Sequence, residues 1–421
     1  MSCEADRSCT SPLLPPHQAD NWLIDPSDIE FWTNAQSLDF NSSEYLSKVQ
    51  SLLNSPSNVA LARSFHGRKA QLVIDFLHQA LARTRLDDDL WRQSLRLIRK
   101  LSKTQGILPT PYILQREDIH VGEIRFEGGF GIVSDGEYQG NNVAIKLIKV
   151  DERVHDKAFK RLCREVIVWK HLSHPNILPL LGVSISINPH SFRILTEWMP
   201  NGNVSRYTEV NPTANRLQLL SEVMSAMTYL HDLKVVHGDL KAANVLVDQM
   251  GAALIADFGR LTMDNLSAFL SESIDSSGGT YRWMSPELLH SKMYGTKCLL
   301  TRESDCYALG MVIYEVLTGL KPFHGMHGLT FIMSVLDRGV HPDKPLDAEA
   351  WGFSDALWEL VMLCWSHTSS SRPTARELLD YFSRASPDWV SPAEYPVPVT
   401  EVSSTDSGSG WSGSLQGEFD E

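Results

Sequence analysis

The residues whose types and spacing could do chemistry lie between positions 237 and 259. Asp239 is followed five positions later by Asn244, and a second acid, Asp257, precedes a Phe-Gly pair. One carboxylate can orient a substrate hydroxyl, while an amide oxygen and a second carboxylate suit Mg²⁺ bound to phosphates. The pattern therefore indicates phosphoryl transfer from Mg-ATP as the candidate chemistry.

Short apolar runs flank these polar residues and must position them. Residues 245–247 read Val-Leu-Val and residues 254–256 read Leu-Ile-Ala. These runs predict two short strands that hold both acids in place.

The segment around Asp239 resembles the catalytic loop of the eukaryotic protein kinase family, and the segment around Asp257 resembles its metal-binding loop. The resemblance implies that Asp239 orients the substrate hydroxyl and that Lys241 neutralises charge on the γ-phosphoryl group. It assigns Mg²⁺ to Asn244 and Asp257. The sequence departs from the family at Gly238, where most members have Arg.

A glycine-rich segment lies upstream, between predicted strands. Gly128, Gly129 and Gly131 let backbone N–H groups approach phosphate oxygens, although a plain β-turn would use glycines in the same way. The next predicted strand, Val-Ala-Ile-Lys, ends at Lys146 and resembles the nucleotide lysine of the kinases. Phe126 replaces the first glycine of the family's loop, so we expect a stiffer loop and a lower affinity for ATP.

The resemblance also implies a partner for Lys146 and a pocket for the base. Glu165 stands where the family places the anion that holds this lysine, and Trp169 is expected to pack between that helix and Phe258. Thr196 would guard the back of the adenine pocket. Ala144 and Leu246 would contact the base through apolar side chains, and Glu197 and Met199 would contact it through backbone groups. Val133 is the remaining residue that the resemblance assigns to nucleotide binding.

The segment after Gly259 resembles the activation segment of the tyrosine-kinase-like group, whose members mostly phosphorylate Ser and Thr. Its hydroxyl-rich part spans 267–277, and it closes with the sequence GTYRWMSPE at 279–287. The resemblance implies a salt bridge between Glu287 and Arg372 and a bracing role for Asp305 under the catalytic loop. Because Gly238 offers no guanidinium to a phosphorylated segment, we expect phosphorylation of 267–277 not to be the main switch.

Composition limits the alternatives. The 421 residues are 43% apolar and carry a net charge of −13, which argues against general binding of nucleic acid. We find no apolar run long enough for a membrane span and no leader sequence, and the six cysteines show no metal-binding spacing. These features predict a soluble intracellular protein, cytoplasmic or nuclear.

The chain is expected to have four segments. Residues 1–40 and 386–421 are predicted to be disordered, the latter as an acidic tail. Residues 41–106 show helical periodicity and form a helical extension, whose basic positions Arg92, Arg96, Arg99 and Lys103 are either a solvated face or a docking surface. Residues 107–385, with a core at 119–382, form the unit that resembles a kinase. An intramolecular contact of the extension with that unit is a further expectation.

The prediction is an α+β, two-lobed protein kinase fold, with a small β-rich lobe, a larger helical lobe and an N-terminal helical extension. The expected activity is transfer of the γ-phosphoryl group of ATP to Ser or Thr of protein substrates, with Mg²⁺. A non-catalytic scaffold with a kinase fold is the alternative from another class, and a tyrosine or dual-specificity kinase is the closer one. A small-molecule phosphotransferase fits poorly, since residues 279–287 resemble a platform for peptides.

Overall fold

The computed structural model describes residues 42–84, 86–128, 131–149, 155–186, 191–258, 280–294, 300–326, 328–346 and 348–389. The chain divides into two compact units. Met1–Ile113 and Arg153–Ile167 form the first unit, and Leu114–Glu152 and Val168–Glu421 form the second. Helix α5, given below, contributes to both units, so a part of the segment that resembles a kinase belongs with the helical extension.

The helical structure predicted for residues 41–106 from their periodicity is confirmed, since this segment forms four helices within the described residues. Its helices are α1 (Ser43–Leu53), α2 (Pro56–Ser64), α3 (Gly67–Arg83) and α4 (Asp88–Gln105). Asp87 caps α4 by accepting from the N–H groups of Asp89 and Leu90, as an acid at a helix N-terminus should. Gly106 ends α4 at φ 66°, a left-handed conformation that glycine adopts without strain. On the predicted basic face Arg96 is exposed, whereas Arg92, Arg99 and Lys103 are half-buried.

The segment after α4 is fastened to α3. The Asp75 carboxylate accepts from the N–H and the hydroxyl of Thr110, at 2.8 and 2.9 Å. Gln71 donates to the carbonyl of Leu108 at 2.9 Å. The buried Tyr112 ring meets His78 edge-on, with ring centres 5.0 Å apart. These long-range contacts make residues 108–112 a fixed part of the first unit rather than a loose linker.

The second unit begins with an antiparallel sheet. Its strands are β1 (Ile119–Gly128), β2 (Gly131–Tyr138), β3 (Asn141–Lys149), β4 (Leu180–Ser186) and β5 (Ser191–Glu197), in the order β1-β2-β3-β5-β4. Helix α5 (His155–Lys170) follows β3 in the chain. Buried residues on one side of the sheet form its core: Ile119, Val143, Ile145 and Leu195. The predicted Val-Ala-Ile-Lys strand lies within β3, and the strands predicted on either side of the glycine-rich segment are β1 and β2.

The remainder of the second unit is mainly helical. It contains α6 (Val204–Val210), α7 (Arg216–Asp232), a two-stranded ribbon of β6 (Val245–Val247) and β7 (Ala253–Ile255), α8 (Pro286–Tyr294), α9 (Arg302–Thr318), α10 (Gly328–Arg338), α11 (Asp355–Cys364) and α12 (Ala375–Ala385). The ribbon confirms the two predicted short strands. Helix α7 begins at Arg216, because the Asn215 side chain caps it by accepting from the Gln218 N–H.

Both chain ends extend beyond the part that the structure describes, at 1–41 and 390–421. The described chain continues past the predicted start of the acidic tail, since Ser386–Asp388 form a 3₁₀ turn. Asn215 donates to the carbonyl of Ser386 at 2.8 Å. No helix in the described ranges is both long enough and apolar enough to span a bilayer.

Candidate active site

The predicted catalytic-loop residues lie together and are buried. Lys241 Nζ is 3.6 Å from Asp239 Oδ2. Asn244 donates through Nδ2 to the Asp239 carbonyl at 2.7 Å, which fixes its amide and orients its oxygen away from that carbonyl. The five-residue interval from Asp239 to Asn244 is therefore a tight turn that brings the Asp239 carboxylate, the Lys241 ammonium group and the Asn244 amide close together.

Asp305, at the start of α9, braces this loop from below, as predicted. Its Oδ1 accepts from the Gly238 N–H at 2.9 Å, and its Oδ2 accepts from the His237 N–H at 2.8 Å and from His231 Nε2 at 3.0 Å. Gly238 has φ 76°, a left-handed conformation that favours glycine. A buried carboxylate with three donors holds the loop backbone in place before any substrate arrives.

Glu315 is a second buried acid under the loop, and sequence reasoning missed it. Its Oε2 accepts from the Ala242 N–H at 3.0 Å and from the Trp283 indole N–H at 2.9 Å. Burial raises the pKa of Glu315, against the effect of those two donors. The only sequence signal is an acid within the apolar run of α9, which does not identify its partners.

Lys146 meets Asp257 directly. Lys146 Nζ lies 2.8 Å from Asp257 Oδ2, with the side chains 26% and 27% exposed. Burial alone would raise the pKa of Asp257, but the charge and hydrogen bond of Lys146, with help from Lys241 and His237, lower it overall. The carboxylate is therefore kept ionised, as a ligand for a cation requires.

Phe258 is packed between two aromatic neighbours, and this fixes the adjacent Asp257. Its ring centre lies 5.4 Å from that of Trp169 and 5.2 Å from that of His237. Trp169 is itself held by a hydrogen bond of 2.6 Å from its indole N–H to the Leu178 carbonyl. The predicted packing of Trp169 on Phe258 is confirmed. Asp257 has φ 59°, a conformation that costs energy for a residue with a side chain and is retained by this packing.

The ribbon brings Asn244 and Asp257 to one end. Val245 of β6 pairs with Ile255 of β7, and the Ala256 N–H donates to the Asn244 carbonyl at 2.8 Å. One amide and one carboxylate suit Mg²⁺, which usually takes one or two protein ligands besides substrate phosphates and water. Over the described ranges, no cluster of three or more His, Cys, Asp or Glu could hold a metal by itself. Asn244 and Asp257 together supply two oxygen donors of the kind that Mg²⁺ takes from a protein.

Four predicted nucleotide residues share one face of the sheet. Val133 pairs with Lys146 between β2 and β3, and Ala144 pairs with Thr196 between β3 and β5. Directly opposite residues of antiparallel strands project to the same side, and so do residues two apart on one strand. This face carries the lysine that reaches Asp257, so it is the face on which a nucleotide would lie.

The remaining predicted nucleotide-binding residues that the structure describes lie at or near strand ends, or in the two-stranded ribbon. Gly128 pairs with Gly131 where β1 and β2 meet, and a Cβ on Gly131 would come within 2.6 Å of the Leu147 carbonyl oxygen, so only glycine fits there. Gly129 lies outside the described residues. Glu197 is exposed at the end of β5, Met199 is buried two residues later, and Leu246 is half-buried on β6.

Glu165 lies on α5 and is 8% exposed. It belongs to the first unit, whereas Lys146 belongs to the second. Its pairing with Lys146 stays a prediction. The hydroxyl-rich segment 267–277 is also outside the described residues, so the expectation about its phosphorylation is untested.

The predicted salt bridge near the end of the activation-like segment is confirmed. Arg372 Nη1 and Nη2 lie 2.8 Å from Glu287 Oε1 and Oε2, and the Arg372 side chain is fully buried. Burial alone would raise the pKa of Glu287, but this paired guanidinium lowers it overall. Such a bidentate pair fixes the segment around residues 283–287 against the helical part.

Comparison with known proteins places this site in a family. The family described as "Protein tyrosine and serine/threonine kinase" matches residues 119–382. A probable serine/threonine-protein kinase of Dictyostelium discoideum is 31% identical over 60% of the chain and 26% of its own length. Serine/threonine-protein kinase STY46 of Arabidopsis thaliana is 31% identical over 60% of the chain and 42% of its own length.

A third relative carries a broader name. Serine/threonine/tyrosine-protein kinase HT1 of Arabidopsis thaliana is 29% identical over 61% of the chain and 63% of its own length. The chain thus spans less than two thirds of each of these three proteins. The family match covers more than half of this chain, from the start of β1 into α12, so the predicted kinase fold is confirmed: the chain belongs to the protein tyrosine and serine/threonine kinase family.

Proposed function

We propose that this protein is a kinase that transfers the γ-phosphoryl group of ATP to Ser or Thr hydroxyls of protein substrates. The observation that carries the proposal is the joint placement of two pairs. Lys241 lies against Asp239 on the catalytic loop, whose backbone Asp305 holds. Lys146 lies against Asp257, and both pairs belong to the second unit of the chain. A non-catalytic scaffold would not need both pairs.

The roles follow from charge and geometry. Asp239 orients the substrate hydroxyl and accepts its proton as the oxygen bonds to the γ-phosphorus and ADP leaves. Lys241 offsets negative charge on the transferring group. Lys146 holds the phosphates, and Glu165 is proposed to steady it.

Asn244 and Asp257 would hold Mg²⁺, which when bound supplies positive charge to the phosphate oxygens. The adenine would lie against Val133, Ala144 and Leu246, below Thr196. Backbone groups of Glu197 and Met199 would hydrogen-bond its edge. Gly128, Gly129 and Gly131 would allow N–H groups to approach the phosphates.

The choice of Ser and Thr rests on two supports. Lys241, two residues after Asp239, resembles the Ser/Thr pattern, and the relatives described above are named as serine/threonine kinases. The name of HT1 includes tyrosine, which keeps dual specificity as the second candidate. We further propose membership of the tyrosine-kinase-like group.

The acceptor is tested with three peptides that differ only in one residue: Ser, Thr or Tyr. We expect labelled phosphate from Mg-ATP on the Ser and Thr peptides and not on the Tyr peptide. Comparable labelling of the Tyr peptide would establish dual specificity and contradict the Ser/Thr proposal.

A cytoplasmic setting is proposed as well. Cys163, Cys306 and Cys364 are buried free thiols, which suits a reducing compartment. Microscopy of the fluorescently tagged full chain tests this, and a signal confined to secretory compartments would contradict it.

A further inference from the structure

Phe126 is an exposed aromatic residue at the end of the sheet that carries Lys146. Its side chain is 57% exposed on β1, two residues before the strand ends at Gly128. Exposed single apolar residues are common, so exposure alone says nothing about a role. The strand register gives this one a direction.

A β-bulge decides which way Phe126 points. Ile124 pairs with Ser134, but Phe126 pairs with Val133, so Arg125 is an extra residue between them. In an uninterrupted strand, residues 124 and 126 would share a face. Their partners Ser134 and Val133 are adjacent, however, and adjacent residues face opposite sides. The bulge therefore turns Phe126 to the face opposite that of Ile124.

Arg125 is held in this arrangement by Asp135. The Asp135 carboxylate accepts from Arg125 Nε at 2.6 Å and from the Glu123 N–H at 2.7 Å. A Cβ on Gly122 would come within 2.2 Å of Asp135 Oδ1, so the glycine leaves room for that carboxylate. The bulge is thus fixed by specific contacts and not only by the strand pairing.

The face that Phe126 joins is the proposed nucleotide face. Val133 of β2 pairs with Phe126 of β1 on one side and with Lys146 of β3 on the other. Phe126, Val133 and Lys146 therefore form one row across three strands, on the side from which Lys146 reaches Asp257. An exposed aromatic ring lies in line with the lysine proposed to hold the phosphates.

We propose that Phe126 is a nucleotide-binding residue whose ring packs on the adenosine part of ATP. This rests on the proposed function and deepens it. It also replaces the expectation, drawn from the missing glycine, that Phe126 weakens ATP binding. A base or ribose that covers the Phe126 ring removes the apolar surface of the ring from water. An aromatic ring can stack on any nucleobase, because every base has a π-face.

The test is direct binding, by calorimetry with the full chain, of Mg-ATP, adenosine and inorganic tripolyphosphate. The variants are Phe126→Ala, Phe126→Tyr and the control Ile124→Ala. Ile124 is 59% exposed on the same strand but faces the other way, so it matches Phe126 in exposure and differs in direction. Neither side chain is buried, so each variant should fold.

We expect F126A to bind ATP and adenosine about tenfold more weakly, as for loss of one base–aromatic contact. Tripolyphosphate affinity should not change, F126Y should bind like wild type, and I124A should bind like wild type. Equal or tighter binding of ATP by F126A, with wild type binding ATP normally, would overturn this inference alone. A wild-type chain that binds no Mg-ATP would overturn the proposed function and this inference with it.

Discussion

At the scale of single residues, the site depends on charges that are paired before a substrate binds. Asp257 accepts from Lys146, and Asp305 accepts from two backbone N–H groups and His231. Preorganised groups of this kind cost no reorganisation at the moment of reaction. The pairing also gives the site a pH dependence that can be measured.

Replacing Lys146 by Met removes the cation that opposes the effect of burial on Asp257. In wild type the pKa of Asp257 is lowered on folding, so its contribution to stability is present at neutral pH and is lost as the pH falls through the folded-state pKa. Without the lysine, the largest of the effects that lower the pKa of Asp257 is removed, so this pKa should rise and the variant should lose less stability on acidification. The two proteins should therefore differ most at neutral pH.

We expect K146M to lower the free energy of unfolding by about 1–2 kcal/mol at pH 7, since both side chains keep some exposure, and by less at about pH 4. Urea unfolding at both pH values measures the difference. Lys100→Met, on an exposed position of α4, is the control. A loss of equal size at both pH values would contradict the pairing.

At the scale of elements, the C-terminal end of α5 is fastened to the chain that follows it. Lys170 donates to the carbonyls of Leu180 and Leu181, each at 2.8 Å, and Trp169 donates to that of Leu178. Trp169 then supports Phe258, which adjoins Asp257. The end of this helix therefore contributes to the position of a proposed metal ligand.

Two substitutions separate the hydrogen bond of Trp169 from its packing. Trp169→Phe keeps a ring near Phe258 but loses the indole N–H, and we expect a loss of about 1 kcal/mol in stability. Trp169→Ala also removes the ring from a buried position and should cost about 3–5 kcal/mol. Denaturant unfolding of both variants checks this. If W169A is no less stable than W169F, the packing on Phe258 does not stabilise the fold.

The sequence predicted elements and motifs where the signal is local. The paired runs around β6 and β7 and the spacing of Asp239 and Asn244 are readable from neighbouring residues. Glu315 was missed because its partners are 73 and 32 residues away, at Ala242 and Trp283. The bulge at Arg125 was missed because register depends on which residues two strands align, which alternation alone does not specify.

At the scale of the whole molecule, the boundaries of the family match differ from those of the two compact units. The family covers 119–382, yet Arg153–Ile167 belongs with the helical extension. A Cβ placed on Gly106, at the end of α4, would lie 3.6 Å from the Phe159 ring of α5. The extension and the helix that bears Glu165 therefore share one unit, so the proposed phosphoryl transfer should be measured on the full chain.

The central claim is that Asp239 supports phosphoryl transfer by this chain. The most direct measurement compares wild type with Asp239→Asn, using labelled Mg-ATP and a Ser/Thr protein substrate, after calorimetry has shown equal ATP binding. Asn lacks the carboxylate that accepts the hydroxyl proton, so we expect transfer to fall by at least about a hundredfold. Transfer at the wild-type rate by D239N, or none by wild type that binds Mg-ATP, would contradict the account.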